Sequence, residues 1–135
     1  MTDDLTNSDR LWILGAFATL AVGAVHTQQF ISDVGNAPTI AELFLLNGIG
    51  AGAIVIALTI PKLRLLAAIG GIGLSMGALI SLAIARFGDN GIFDYKEPEL
   101  LRGPVVIAIL AEVAAVGLLY AYVISDRDDA SSSSA

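Results

Sequence analysis

Four side chains stand where an apolar helix has no ordinary use for them: His26, Asn47, Arg86 and Glu112. Each lies within or at the end of a long apolar run, and a polar or ionisable group placed in hydrocarbon needs a partner or a purpose. A carboxyl can hold or pass a proton, and an imidazole can exchange one near neutral pH. An amide can bridge two helices, and a guanidinium can pair with an acid or reach the headgroups. The chain has one histidine and no cysteine. Thiolate, disulfide, iron–sulfur and zinc-thiolate chemistry are thereby closed to it. A single imidazole makes no metal cluster, and a haem held by two histidines would need a second subunit. Spacing offers no Ser-His-Asp arrangement, and Ser75 and Ser81 read as helix-contact serines. The string Gly48-Ile49-Gly50-Ala51-Gly52 lacks the lysine of a phosphate loop and lies inside an apolar run. These residues name no catalytic group and require no metal or cofactor, which favours a protein that is not an enzyme without deciding the question.

The elements that must position them are four apolar segments, at 11–31, 40–60, 65–86 and 103–124. Each has about 20 residues, enough to cross a ~30 Å hydrocarbon core at ~1.5 Å per residue. With 56% of its 135 residues apolar and 15% charged, the chain has the composition of a membrane protein. The fold class expected is all-α: an integral membrane four-helix bundle, multi-pass in the cell membrane, with antiparallel neighbours. Thirteen acids against seven bases give a net charge of −6, which disfavours nucleic acid and anionic lipid as partners and leaves the bilayer interior as the expected one. An acidic exterior of this kind also fits a high-salt habitat. Residues 1–10 form an acidic segment, and 125–135 read as a solvated, disordered acidic and serine tail. Asp3, Asp4 and Asp9 precede a single Arg10, unlike the positive leader of an export signal, so the first run is expected to be a retained span.

The first connection contains Gly35, Asn36 and Pro38, all turn formers, and Thr39-Ile40-Ala41-Glu42 fits a capping box that accounts for Glu42. Pro61-Lys62-Leu63-Arg64 is short enough to make spans two and three antiparallel neighbours, whereas 87–102 is the one long connection. An arrangement with both termini cytoplasmic puts Arg10, Lys62, Arg64 and Arg127 inside and Arg86, Lys96 and Arg102 outside, the direction favoured by the excess of basic residues in cytoplasmic loops. Trp12, Tyr120 and Tyr122 then fall at the inner interface and Phe30 and Phe87 at the outer one. Counting inward from the outer boundary at ~1.5 Å per residue, His26 lies about 7 Å deep, Asn47 about 11 Å and Glu112 about 13 Å, with Arg86 at the interface. One polar residue from each helix thus converges on the outer half, rimmed by Gln28 and Gln29. Glu112 is too deep for a short side chain to reach water along its helix, so it is protonated, paired or facing a hydrated cavity.

Helices in lipid associate through close approach at small residues. Gly15, Thr19, Gly23 and His26 form such a stripe in the first span, Gly48 and Gly52 in the second, Gly73 and Gly77 with Gly70 and Ser81 in the third, and Ala108, Ala111 and Ala115 around Glu112 in the fourth. The glycine-rich faces would equally serve a homo-oligomer or a partner in a membrane complex. The series Gly23-Ala24-Val25-His26, Ile40 to Asn47, Arg86, Gly91-Ile92-Phe93 and Pro104 followed by Glu112 resembles small prokaryotic four-span proteins of a DoxX-like kind over residues 11 to 124. Some DoxX-like proteins are associated with quinone-linked redox membrane complexes, so the resemblance implies an accessory role in one. Three functions follow from the sequence: an accessory or small-ligand-binding bundle with a polar pocket in its outer half, a proton or cation transporter or channel subunit using Glu112 and His26, and a quinone-binding subunit.

Overall fold

The structure, a computed structural model, describes residues 5–32 and 38–133. Within them four helices follow one another: α1 (Asn7–Ser32), α2 (Pro38–Leu58), α3 (Arg64–Phe87) and α4 (Gly103–Ser133). All four are long and apolar enough to cross a membrane, and the chain is an all-helical, multi-pass membrane bundle with no strand among the described residues. Large apolar side chains point outward, with Phe17, Leu46, Ile49, Ile56, Leu66 and Leu110 all more than half exposed. Much of the interior is built of small residues instead. Val22, Ala111 and Ala115 form one buried cluster, and Leu58, Ala67, Ala68, Leu119, Tyr122 and Val123 form another at the end bearing the termini. That inversion is what lipid solvation produces, because burying leucine against leucine gains nothing over leaving it in acyl chains, whereas small residues allow backbones to touch.

Local chemistry sets the ends of the helices. The Thr6 hydroxyl accepts from Asp9 N–H at 3.0 Å while the Asp9 carboxylate accepts from Thr6 N–H at 3.3 Å and from its hydroxyl at 2.7 Å. This is the reciprocal cap that opens α1. Helix α2 begins at Pro38, whose fixed φ suits a first helical position, so Thr39 lies inside the helix and not at its cap. The turn formers at 33–37 lie outside the described residues. Between α2 and α3, short turns run from Thr59 to Leu63. Arg64 clamps this corner: its Nε donates to Leu58 O at 2.9 Å, and its guanidinium stacks 4.1 Å over the Trp12 ring. Tyr122, expected as an interfacial anchor, turns inward at 4% exposure and its hydroxyl donates to Asp126 at 3.4 Å.

Helix α4 continues past 124, through the segment expected to be a tail, to Ser133. No proline or glycine follows Gly117 in the sequence, so nothing in the covalent chain stops the helix; residues 134 and 135 of that tail lie outside the described ones. Helix α1 packs extensively on α2 and α4, and α3 packs on α4. Contact between α2 and α3 is thinner. The four helices therefore form a ring that is tight on three sides and loose on the fourth.

Candidate functional site

On α1, Gly15, Thr19, Gly23 and His26 are all buried, one above the other along a single face. Gly15 lets Leu119 approach, and Gly23 meets Ala51 and the backbone of Gly48. Close approach at these glycines brings His26 to α4, where Glu112 is buried at 2% exposure between the buried Ala108, Ala111 and Ala115. His26 Nε2 and Glu112 Oε1 stand 3.4 Å apart.

The protons on this pair follow from its other bond. His26 Nδ1 lies 2.9 Å from Val22 O, and a carbonyl has no proton to give, so Nδ1 carries the hydrogen. Nε2 and Oε1 would repel as two lone pairs. One proton between them, as neutral imidazole with carboxylic acid or as imidazolium with carboxylate, removes that repulsion. Both forms carry the same total charge, so the pair acts as a single-proton unit. Phe44 stands edge-on to the imidazole at 5.2 Å and 76°. The second carboxyl oxygen, Glu112 Oε2, is buried without a hydrogen-bond partner.

His26 also forms part of the wall of a cavity of about 410 Å³, set between α2 and α3 where those helices separate. Its walls are mainly apolar, from Ile40, Leu43, Leu46, Leu74, Leu82 and Ala85, with Asn47 of α2 and Ser81 of α3 as polar groups beside His26 of α1. Asn47 Oδ1 is buried and has no hydrogen-bond partner. A Cβ added at Gly73 or Gly77 would meet nothing within 4 Å; these two glycines shape the cavity and do not form a helix contact. Gly52 likewise has open space around it, on a shallower groove between α1 and α2. Gly48 is in close contact with Thr27 and Gly23. A close approach that the small-residue stripes did not include is at Gly71, where a Cβ would come 2.6 Å from Leu119.

The cavity is closed at one end by the connection between α3 and α4, where the structure adds a residue that sequence reasoning did not select. Glu97 is 4% exposed. Its carboxylate accepts from Tyr95 O–H at 2.8 Å and Glu99 N–H at 3.4 Å, and Arg102 Nη2 stands 3.6 Å away. Glu97 N–H donates to Ala85 O at 3.1 Å, folding the connection back onto α3. A tight turn joins Ile92 to Tyr95, with φ of 48° at Phe93 and 60° at Asp94. Such left-handed pairs make hairpin turns and are usually Asn-Gly or Asp-Gly; with phenylalanine at the first position the turn carries no sequence signal. The proximity of Tyr95, Glu97 and Arg102 in the chain was the available clue. Arg86 does not join the inner cluster. It is exposed at the end of α3, and its Nη1 is 3.5 Å from Glu97 O.

The fold and site define a class: a small multi-pass membrane bundle with a buried acid–imidazole pair beside a largely apolar cavity. Comparison of the chain with models of protein families, with curated proteins and with solved structures finds no match.

Proposed function

We propose that this protein is a non-enzymatic membrane bundle that binds a small, mostly apolar molecule between α2 and α3. The observation that carries this reading is the cavity itself. Its volume of about 410 Å³ and its apolar walls with few polar groups match the usual make-up of small-molecule sites. Exposed Leu43 and Leu46 of α2 and exposed Gly73 and Gly77 of α3 line it, so a ligand dissolved in the bilayer can enter sideways, on the loose side of the ring. A photoreactive fatty alcohol with a diazirine in its chain tests this in lipid nanodiscs. Crosslinks are expected on 73–82 of α3 and 43–47 of α2, and they should disappear in Gly77→Phe, whose ring occupies the space. Equal labelling of the variant at these segments would defeat the reading.

A second reading, proton or cation movement by a transporter or channel subunit, is favoured by the single-proton unit at His26 and Glu112. Acidification of proteoliposomes under an imposed potential, absent in Glu112→Leu, would support it. The DoxX-like resemblance adds a quinone-binding accessory role, for which a quinone absorbance band copurifying with the full chain is the test.

A further inference from the structure

We infer that the cavity between α2 and α3 selects a lipid-soluble amine, an apolar body ending in a protonated nitrogen. This rests on the ligand-binding reading and names the ligand's head. The walls can enclose an apolar body of any chemistry, so discrimination falls to six lining residues: His26, Phe44, Asn47, Ser81, Tyr95 and Glu97.

What these groups have to spare is mainly acceptor capacity. Asn47 Oδ1 is buried without a hydrogen-bond partner. His26 has no ring N–H to spare, since Nδ1 is directed at Val22 O and Nε2 at Glu112. The Tyr95 hydroxyl is committed to Glu97. Glu97 brings a carboxylate to the wall, offset in part by Arg102 at 3.6 Å. No lysine or arginine is among the described residues lining the cavity. A carboxylate or phosphate head entering here would find only the Ser81 hydroxyl and the Asn47 amide N–H as donors, and would be buried without a paired cation, which is strongly unfavourable. An ammonium head would instead find the Asn47 and Glu97 oxygens. It would also find the aromatic rings of Phe44 and Tyr95, whose electron-rich faces attract cations.

The test uses probes that share one diazirine-bearing alkyl chain and end in a primary amine, an alcohol or a carboxylate. Each is titrated onto the purified full chain in a neutral detergent, and labelling of 73–82 is quantified by mass spectrometry. The amine is expected to reach half-maximal labelling at a concentration about tenfold below that of the carboxylate, a difference of about 1.4 kcal/mol. In Asn47→Leu the ratio should fall severalfold. Gly77→Phe fills the cavity and leaves the acidic surface unchanged, so there the ratio should approach one. An amine preference that persists in Gly77→Phe would belong to that surface and overturn the inference. Equal or stronger labelling by the carboxylate, with alcohol labelling still lost in Gly77→Phe, would overturn the amine while leaving the ligand-binding reading intact. Alcohol labelling that is the same in wild type and Gly77→Phe would remove both.

Discussion

At the scale of the residue, the pairing of His26 with Glu112 decides what mutation does. An acid at mid-depth carries an insertion penalty of ~2.5–3.5 kcal/mol on the translocon scale, and the imidazole 3.4 Å away is what offsets it. Glu112→Gln should be tolerated. If the pair is ionised, the imidazolium left behind can release its proton, and the side-chain amide introduced by the substitution then donates to Nε2. His26→Leu has no such escape, since it leaves both carboxyl oxygens unpartnered; a loss of about 1–3 kcal/mol is expected for a buried polar group left unsatisfied. Combining it with Glu112→Leu should recover most of that loss, because replacing both members of a buried pair by apolar groups is often neutral. Thermal unfolding in detergent of His26→Leu, Glu112→Leu and the double variant measures the coupling. A double variant that simply adds the two losses would show that the pair does not act as a unit.

At the scale of the element, glycines of similar sequence context divide by what faces them. Gly23 lies where a Cβ would come 2.9 Å from Ala51 Cβ and 3.4 Å from Gly48 O. Neither neighbour can swing aside, so Gly23→Ala must separate α1 from α2 and should destabilise by about 1–3 kcal/mol, as overpacking does. At Gly73 the space is open, and Gly73→Ala should stabilise α3 by about 0.5–1 kcal/mol by removing backbone freedom from a helix interior. The two melting temperatures should move in opposite directions; a shared loss would mean that Gly73 meets a helix after all. Separating such glycines needs the partner helix. A small-x-x-x-small spacing marks a smooth face, and it reads the same whether that face meets a helix, a cavity or lipid.

At the scale of the whole molecule, the direction of insertion follows from basic residues at the helix ends. With both termini cytoplasmic, a cysteine at Asn90 should react with an impermeant thiol reagent added to intact cells, and one at Lys62 should not. Labelling at Lys62 alone would invert the protein and put the cavity's closed end, with Glu97, on the cytoplasmic side. By itself the sequence determined the number of helices and the apolar spans within them, because a bilayer demands about 20 apolar residues per span and four such runs stand clear of each other; it did not show that α4 continues beyond its span to Ser133. It also singled out His26 and Glu112, since a polar residue in hydrocarbon is conspicuous by its cost. Only the tertiary structure decided which polar residues meet. Depth along a helix is read from residue count, but azimuth around the bundle depends on how every neighbour packs. Thus Glu112 reaches His26, while Arg86, expected at the same end, turns to Glu97 O. The tertiary structure also decided that α2 and α3 part. The cavity is a difference between packed helices and belongs to no single segment, and the connection that closes it turns at Phe93 and Asp94, where no glycine announces a left-handed backbone.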